Sequence, residues 1–248
     1  MLAVLLGALA MPAQEPDWTP LFNGKDLSGW TVKIKGFPVG ENYADTFRVD
    51  DGILKVRYDK YEGEFGDRFG HLYTNRPYSS YRLRAVYRFV GEQHSGGPGW
   101  AWRNNGLMIH SQSAWSMPLN QDFPVSIEVQ LLGGDGKNER HNVNLCTPGT
   151  NVVYEGKLHL AHCTDSSSKT CHGDEWHTAE VEVDGSRRVR HFLDGELVME
   201  YSSPQLDERD ETATPFIVGG MKLLDSGHIA IQAESHPTDF KSIEIRPL

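Results

Sequence analysis

The sequence predicts an all-β fold, a β-sandwich or jelly roll of two antiparallel sheets. Short segments of alternating apolar and polar residues are separated by turns rich in Gly, Pro, Asn and Asp, as in half-buried strands. After the N-terminal residues, no segment of about twelve or more residues has helical periodicity. Many short strands without alternating helices favour a sandwich over an α/β fold. Because no linker or change in composition divides the chain, residues 18–248 are predicted to form one domain.

Two β-hairpins have the clearest local signal. Asp51-Gly52 and Asp194-Gly195 each separate two apolar segments, and Gly tolerates the positive φ angle that tight hairpin turns require. The predicted strands at these turns are Phe47–Val49, Ile53–Val56, Arg190–Leu193 and Glu196–Met199. The other predicted strands are Tyr81–Phe89, Gly106–Gln112, Val125–Leu132, Ala179–Val183, Ile229–Glu234 and Ile243–Arg246.

Composition and motifs exclude several classes of protein. Of the 248 residues, 34 are Asp or Glu and 24 are Lys or Arg, giving a formal net charge of −10. A chain this acidic lacks the basic face that nucleic-acid binding requires. The dinucleotide-binding glycine motif, the P-loop, the HExxH zinc motif and the GxSxG elbow are all absent from the sequence. The corresponding dehydrogenases, kinases, metalloproteases and serine hydrolases are therefore disfavoured.

The N-terminus predicts an extracytoplasmic protein. Leu2 to Ala10 is an unbroken apolar run of about signal-peptide length, and Ala8-Leu9-Ala10 matches a cleavage pattern. Residues 1–13 are therefore predicted to be a signal peptide, although no Lys or Arg precedes the apolar run; a buried N-terminal helix is the alternative. No later segment is long and apolar enough to span a membrane. We expect a secreted or periplasmic location.

The three cysteines favour a disulfide over a metal site. Cys146, Cys163 and Cys171 are compatible with an oxidising compartment but leave one cysteine unpaired. Two Cys-His pairs, at 162–163 and 171–172, do not match the ligand spacing of a zinc finger or ribbon. The residues alone leave open which two cysteines pair.

Polar side chains on three predicted strands point to one outer face of a sheet. Because alternate strand residues face opposite ways, Glu128 and Gln130 lie opposite the apolar set of their strand. His110, Gln232 and Glu234 are expected on the outer face in the same way. Polar residues on the solvent side of an antiparallel sheet are the ordinary alternative. Glu128 is the hardest to explain by solubility, because its neighbours in the chain are strongly apolar and β-forming.

Loop residues supply further candidates for a sugar-binding groove. His141 follows a Gly-rich loop and either lines the groove or caps a turn. Three tryptophans, Trp100, Trp102 and Trp115, flank Asn104-Asn105-Gly106. Aromatic rings stack on the C–H faces of sugars, but large rings also pack in cores. Both roles remain open for these residues.

The chain resembles the 3-keto-disaccharide hydrolase domain family over residues 21–248. The most specific segment is the opening motif Leu21-Phe22-Asn23-Gly24-Lys25-Asp26-Leu27-Ser28-Gly29-Trp30. Weaker motifs follow in the family's order: Asp51-Gly52, Asn105-Gly106-Leu107, Ile127-Glu128-Val129-Gln130, Gly227–Gln232 and Phe240–Ile245. Many family members have a His two residues after the Gln of the Gly227–Gln232 motif, where this chain has Glu234, with His236 following.

The resemblance implies a fold, a disulfide and an activity. The expected fold is a concanavalin A-like lectin/glucanase jelly roll. The expected disulfide joins Cys146 to Cys163 and leaves Cys171 as a free thiol. The expected activity is extracytoplasmic glycan breakdown on glycosides whose 3-hydroxyl has been oxidised to a ketone, so a carbohydrate is the expected partner.

A 3-keto sugar requires only modest catalytic machinery. The ketone acidifies the C2 hydrogen, so a general base can form an enolate that expels the group at C1. We expect Glu128 and His110 to act as base and acid. The residues expected to bind or orient the substrate are Gln130, His141, Asn105, Gln232 and Glu234. A divalent metal that polarises the ketone is a further candidate, although no diagnostic ligand spacing identifies it.

Two other functions fit the same residues. Ordinary glycoside hydrolysis would use Glu128 and Glu234 as paired carboxylic acids. A carbohydrate-binding module without catalysis would use the same groove of amide, imidazole and indole side chains. Turnover of a keto-sugar substrate, and its loss when Glu128 is replaced by Gln, separates the enzyme from the binding module.

Overall fold

Two antiparallel β-sheets, of ten and seven strands, account for nearly all the regular structure of the protein. The computed structural model describes residues 17–248; the predicted signal peptide, residues 1–13, lies outside the described residues. The prediction of an all-β sandwich of two antiparallel sheets is confirmed. Within residues 17–248, none of the helices is both long enough and apolar enough to cross a membrane.

The strands are numbered β1 to β17 in chain order. The ten-stranded sheet contains β1 (Thr19–Pro20), β3 (Phe47–Asp50), β4 (Ile53–Val56), β6 (Ser80–Phe89), β10 (Thr150–Tyr154), β11 (Lys157–His159), β13 (His177–Asp184), β14 (Arg188–Leu193), β15 (Glu196–Leu206) and β17 (Thr238–Pro247). The seven-stranded sheet contains β2 (Trp30–Ile34), β5 (Gly70–Thr74), β7 (Asn104–Ser111), β8 (Ile127–Leu132), β9 (Asn144–Cys146), β12 (Cys163–Thr164) and β16 (His228–Ala233). The described 3-10 helices are Tyr43–Asp45, Gly99–Ala101, Ala114–Ser116 and Thr214–Phe216.

Strand order brings distant segments together in both sheets. The ten-stranded sheet runs β11-β10-β15-β14-β13-β6-β17-β4-β3, with β1 also paired to β17. The seven-stranded sheet runs β12-β9-β8-β7-β16-β5-β2. The central neighbours β8, β7 and β16 therefore carry the three predicted groups of polar residues side by side.

The two predicted hairpin turns are confirmed. Asp51 and Gly52 have φ angles of 52° and 75°, and Asp194 and Gly195 have φ angles of 49° and 86°. Positive φ at both central residues is the requirement of the type I′ turn, whose twist matches that of the flanking strands. The Asp-Gly dipeptides thus fix the register of β3 with β4 and of β14 with β15.

Four strands of the seven-stranded sheet were not predicted: β2, β5 and the shorter β9 and β12. All five residues of β5 are buried, and four of the five in β2 are buried. A strand covered on both faces has no apolar-polar alternation to reveal it. Strands β2 and β5 carry Lys33, His71 and Tyr73 into the middle of the fold.

The main core lies between the sheets, and the other face of the seven-stranded sheet is also covered. Leu107, Ile109 and Val129 belong to the main core. Met108, on the opposite face of β7, packs in a second cluster that includes Ala114 from the segment following the strand. The segment after β7 therefore covers part of the outer face of the seven-stranded sheet.

The disulfide expected from the family resemblance is present. Cys146 of β9 and Cys163 of β12 are cross-strand partners joined by a 2.04 Å S–S bond. Cys171 is a buried free thiol.

Candidate active site

Strand register places the predicted polar residues next to one another. Glu128 of β8 lies between Cys146 of β9 and Met108 of β7. Two residues further along β8, Gln130 lies opposite Gly106 of β7. Ile231 of β16 pairs with Leu107 of β7, so Gln232 lies beside Gly106 on the other side.

The missing side chain of Gly106 makes room for the carboxyl group of Glu128. A Cβ atom at position 106 would lie 2.5 Å from Glu128 Oε1 and 3.0 Å from Gln232 Oε1. The carboxyl group therefore leans over the backbone of β7 toward the Gln232 amide. Gly106 is required here by close approach of a side chain to the strand.

A cavity of about 450 Å³ opens over this part of the sheet; we call it the catalytic cavity. Trp100 is 52% exposed and stacks on Phe69 at a centroid distance of 5.8 Å, so its ring forms a firm aromatic wall. The Cys146–Cys163 disulfide forms part of another wall. The lining residues are Trp100, Asn104, Phe123, Glu128, Gln130, Leu132, Arg140, Cys146, Pro148, His162, Cys163 and Glu234.

The two carboxyl groups of the cavity both favour their protonated form. Glu128 is 7% exposed, and burial raises the pKa of its carboxyl group to about 8. Glu234 is 2% exposed; burial and the nearby charge of Glu128 raise its pKa well above the ordinary value. Because each charge disfavours the other, the pair readily holds one ionised and one protonated carboxyl, which are a general base and a general acid.

The raised pKa of Glu128 predicts how stability depends on pH. A carboxyl group with a pKa near 4.5 when unfolded and about 8 when folded holds its proton longer in the folded state. The contribution of Glu128 to the free energy of unfolding is then largest below pH 4.5, and it falls as the pH rises toward 8. We expect Glu128→Gln to remove this loss, so that the variant gains roughly 3 kcal/mol over wild type between pH 5 and pH 8.

Denaturant unfolding at both pH values measures this difference. Glu92→Gln is the matched control, because Glu92 is an exposed carboxylate, and its stability is expected to track wild type. Equal stability of Glu128→Gln and wild type at pH 8 would show that Glu128 ionises as an ordinary carboxyl.

Several buried polar atoms at and beneath the cavity have no hydrogen-bond partner among residues 17–248. Both side-chain polar atoms of Gln232 are unpaired, as are Glu234 Oε2 and Asn104 Oδ1. His71 Nε2 and Tyr73 Oη on β5 are also unpaired, and His71 is the cross-strand partner of Gln232. Buried polar groups are nearly always satisfied, so a concentration of unsatisfied ones marks a place where ligand or water supplies the partner.

His71 is a neutral imidazole at this depth. Burial, assisted by the nearby charge of Lys33, lowers the pKa of His71 to about 3. Lys33 is itself buried, and its Nζ donates to the carbonyls of Ile34 at 2.8 Å and Leu119 at 2.9 Å. His71 can therefore accept or donate one hydrogen bond without carrying charge into the site.

The structure does not bring His110 to the cavity. Its φ angle is +49°, and this left-handed residue interrupts the alternation that would have turned the ring outward. The ring instead reaches the β13–β14 turn, where Nε2 lies 3.1 Å from the carbonyl oxygen of Gly185. Burial lowers the pKa of His110. The expectation that His110 stands beside Glu128 is corrected accordingly.

Asn105 and His141 also lie away from the cavity. Asn105 Nδ2 donates to the carbonyl of Gln232 at 2.8 Å and its Oδ1 accepts from Gly106 N, so it ties β7 to β16. His141 Nδ1 is engaged with the carbonyl oxygen of Ser168 at 2.6 Å in a surface loop. Both positions are corrected from groove residues to structural ones.

The remaining predicted residues divide by depth. Glu128, Gln130 and Glu234 line the cavity, whereas Gln232 is fully buried beneath it beside Gly106. His236, two residues beyond Glu234, packs edge-on against Phe89 and Trp102. Burial lowers its pKa to about 4. Glu234 therefore occupies the position that faces the site in this chain.

Sequence reasoning missed Asn104, Phe123 and Arg140 as lining residues. Alternation along β7 could have identified Asn104, because it has the same parity as Gly106 and Met108. Phe123 and Arg140 lie in loops, where no periodicity predicts orientation. Arg140 Nη1 donates to the carbonyls of Trp102 at 2.7 Å and Gly133 at 3.0 Å, which holds the loops at the cavity's edge.

Metal ligation has no support from the arrangement of side chains. Among residues 17–248, no group of three or more His, Cys, Asp or Glu side chains is placed to hold a metal ion. We therefore derive no catalytic step through a metal.

Comparison with known proteins identifies the family of the chain. A sandwich sheet that carries two carboxyl groups and an aromatic wall in one cavity is characteristic of proteins that act on carbohydrates. The chain belongs to the 3-keto-disaccharide hydrolase family, described as the 3-keto-alpha-glucoside-1,2-lyase-like domain, whose model matches residues 17–246. Membership supports a carbohydrate-related, glycoside-acting function. No curated protein sequence matches the chain significantly.

Solved structures share the fold. Two proteins of Parabacteroides distasonis assigned as glycosyl hydrolases are similar. One has 17% identity and a TM-score of 0.54 over 94% of this chain and 100% of that one. The other has 21% identity and a TM-score of 0.53 over 93% and 94%. A Bacillus subtilis protein of unknown function with a galectin-like fold has 11% identity and a TM-score of 0.56 over 94% and 97%. At these identities the likeness establishes the fold alone.

Proposed function

We propose that the protein cleaves the glycosidic bond of 3-keto-glycosides outside the cytoplasm. The observation that carries the proposal is the pair of buried carboxyl groups, Glu128 and Glu234, whose pKa values are both raised in one cavity. A carboxylate with a pKa near 8 is a stronger base than an ordinary one and remains partly ionised at neutral pH. The family membership supports a 3-keto-glucoside as the substrate.

The reaction begins with loss of the C2 proton. In its carboxylate form Glu128 takes this proton, and the electrons of the C2–H bond form an enolate with negative charge on the C3 oxygen. When the C3 carbonyl re-forms, a C1=C2 double bond forms and the bond from C1 to the leaving oxygen breaks. Protonated Glu234 supplies a proton to that oxygen. Addition of water across C1=C2 completes a net hydrolysis; release before this addition is an elimination.

Amide groups are suited to stabilise the enolate oxygen. Gln130 lines the cavity and is placed to donate to the substrate; Gln232 lies beneath the cavity beside Glu128, and its amide has no hydrogen-bond partner among residues 17–248. Preorganised neutral donors at a developing oxyanion are an effective source of transition-state stabilisation. The exposed face of Trp100 suits stacking on the sugar ring.

Ordinary glycoside hydrolases also use a pair of carboxyl groups, so an ordinary glycoside hydrolase is the second candidate function. Such an enzyme would protonate the leaving oxygen with one group and use the other as base or nucleophile, without any ketone. The disulfide at the cavity wall supports an oxidising compartment for either activity.

Turnover of matched plain and 3-keto glucosides separates these candidates. We expect cleavage of the 3-keto glucoside to exceed that of the plain glucoside by at least about a thousandfold, because only the ketone acidifies C2. Equal rates on the two would contradict the keto-sugar mechanism and favour ordinary hydrolysis. Binding without cleavage of either would favour a carbohydrate-binding module.

A further inference from the structure

The catalytic cavity is the first of three neighbouring cavities, each of which shares lining residues with the next. A second cavity of about 620 Å³ shares Phe123, Pro148 and His162 with the catalytic cavity. A third, of about 680 Å³, shares Asn120, Gln121 and Thr212 with the second. We call the second and third cavities together the leaving-group groove. A water molecule occupies about 30 Å³, so the second cavity alone has room for on the order of twenty waters. This is far more space than methanol, the smallest leaving group, would fill.

The other end of the catalytic cavity adjoins a small cavity of about 210 Å³, with which it shares Arg140. Arg140 lies at that end, close to Asn104 and Leu132, and its guanidinium donates to the carbonyls of Trp100, Trp102 and Gly133. These bonds hold two loops together across the end of the cavity. Past His162, on the side of Glu128, a sugar chain can extend from the catalytic cavity into the much larger leaving-group groove.

The carboxylates of the second cavity are already engaged. Asp122 pairs with Lys35 Nζ at 2.6 Å, and Asp207 pairs with Arg209 Nη2 at 2.6 Å. Asp210 accepts from the backbone N–H of Thr212 at 2.7 Å. Because two of these charges are paired to cations and Asp210 is held by backbone N–H groups, the groove suits a neutral ligand that offers many hydroxyl groups rather than an anionic one.

Amide and apolar groups remain to contact such a ligand. The Asn120 side chain lines both cavities of the groove and hydrogen-bonds to no other group within residues 17–248. Leu160 is exposed in the second cavity, and Phe216, 37% exposed, lines the third. An aromatic ring with free amides nearby is the usual combination for stacking and hydrogen-bonding a sugar.

The groove wall is anchored rather than loose. The segment between β15 and β16 carries Phe216, and its Ala213 is fully buried against Val125 and Leu206. Asp210 also accepts from the backbone of this segment at Thr212, and Thr214 Oγ1 donates to the Asp210 carbonyl at 2.8 Å. A wall with its own small core presents a preformed surface to a ligand.

We propose that the leaving group is a neutral oligosaccharide of at least two sugar units, bound along the leaving-group groove. The protein then removes a terminal 3-keto sugar from an oligosaccharide rather than from a small aglycone. This inference rests on the proposed function and specifies its substrate class. The enzyme that supplies the substrate must oxidise the terminal 3-hydroxyl of an oligosaccharide.

A series of substrates of increasing length tests this inference. The substrates are terminal 3-keto-glucosides whose leaving group is methanol or one, two or three glucose units, in both α-1,4- and β-1,4-linked series. We expect kcat/KM in the productive series to rise about tenfold on going from one unit to two, mainly through KM, because binding along the groove adds contacts. Phe216→Ala should lose about fivefold on the longer substrates and nothing on the methyl glucoside. Val218→Ala is the matched control, since Val218 is 67% exposed in the same segment and lines none of the three cavities.

The outcomes separate this inference from the proposed function. Turnover of 3-keto substrates at a kcat/KM that does not depend on leaving-group length would contradict oligosaccharide binding in the groove. The proposed activity on 3-keto sugars would be unaffected by that result. If no 3-keto substrate is turned over, calorimetric titration with plain malto- and cello-oligosaccharides tests separately whether the groove binds an oligosaccharide. Affinity that rises with length in wild type and falls in Phe216→Ala supports it; affinity independent of length overturns it.

Discussion

Replacing Glu128 by Gln is expected to lower kcat on a 3-keto glucoside by about a thousandfold, because the amide cannot accept the C2 proton. Gln has nearly the same volume as Glu, and within residues 17–248 no hydrogen bond or positive charge offsets the burial of the Glu128 carboxyl group. Binding of substrate should change little. Steady-state kinetics and calorimetric binding measure the two effects separately.

Two controls show whether a loss of activity in Glu128→Gln comes from the chemistry. The variant is expected to be at least as stable as wild type near neutral pH, so lost turnover cannot be ascribed to unfolding. Glu92→Gln should keep wild-type kinetics. A variant of Glu128 that retains kcat within about threefold would remove this residue from the chemistry.

Gly106→Ala is expected to lower kcat by about a hundredfold and to lower stability to a smaller extent. The new Cβ would come within 2.5 Å of Glu128 Oε1 and 3.0 Å of Gln232 Oε1. Glu128 Cγ would also lie 2.9 Å from the new Cβ, so the whole buried side chain of Glu128 must shift to make room for the methyl group. The base and its neighbouring amide are displaced from their productive positions, and misplacement of about 1 Å is enough for a loss of this size.

Gly99→Ala is the matched control for Gly106→Ala. It also lies near the rim of the site, and a Cβ there meets no atom within 4 Å. Its kcat should equal that of wild type. Normal kinetics in Gly106→Ala would mean that the position of Glu128 over β7 is not the catalytic one.

The site residues that the sequence predicted correctly follow from strict two-residue alternation along their strands. Glu128 and Gln130 on β8, and Gln232 on β16, face the side that their apolar neighbours do not. The Asp-Gly hairpins followed from the φ angles that only a few residues adopt easily. The Cys146–Cys163 pairing was expected from the family resemblance.

What could not be predicted depends on local departures from regular strand geometry. His110 left the outer face because its backbone adopts a left-handed conformation that its residue type does not announce. His71 lies on a strand buried on both faces, so no alternation marked it. Phe123 and Arg140 reach the cavity from loops, whose direction is set by tertiary contacts.

The site concentrates polar groups that the fold alone does not satisfy. Two carboxyl groups lie close enough to repel each other, and the Gln232 amide lacks a partner. Each of these features costs stability in the free protein. All of them would gain a partner, a proton or a hydrogen bond from a bound keto sugar, which explains their concentration around one cavity.

The fate of the C2 hydrogen tests the central claim most directly. A 3-keto glucoside carrying deuterium at C2 is incubated with the protein, and the label is measured in the sugar product and in water at early times, against a control without protein. The account predicts that one deuterium leaves C2 for each glycosidic bond cleaved, and that Glu128→Gln suppresses both events together. Cleavage with the deuterium retained at C2 would contradict enolate formation by Glu128.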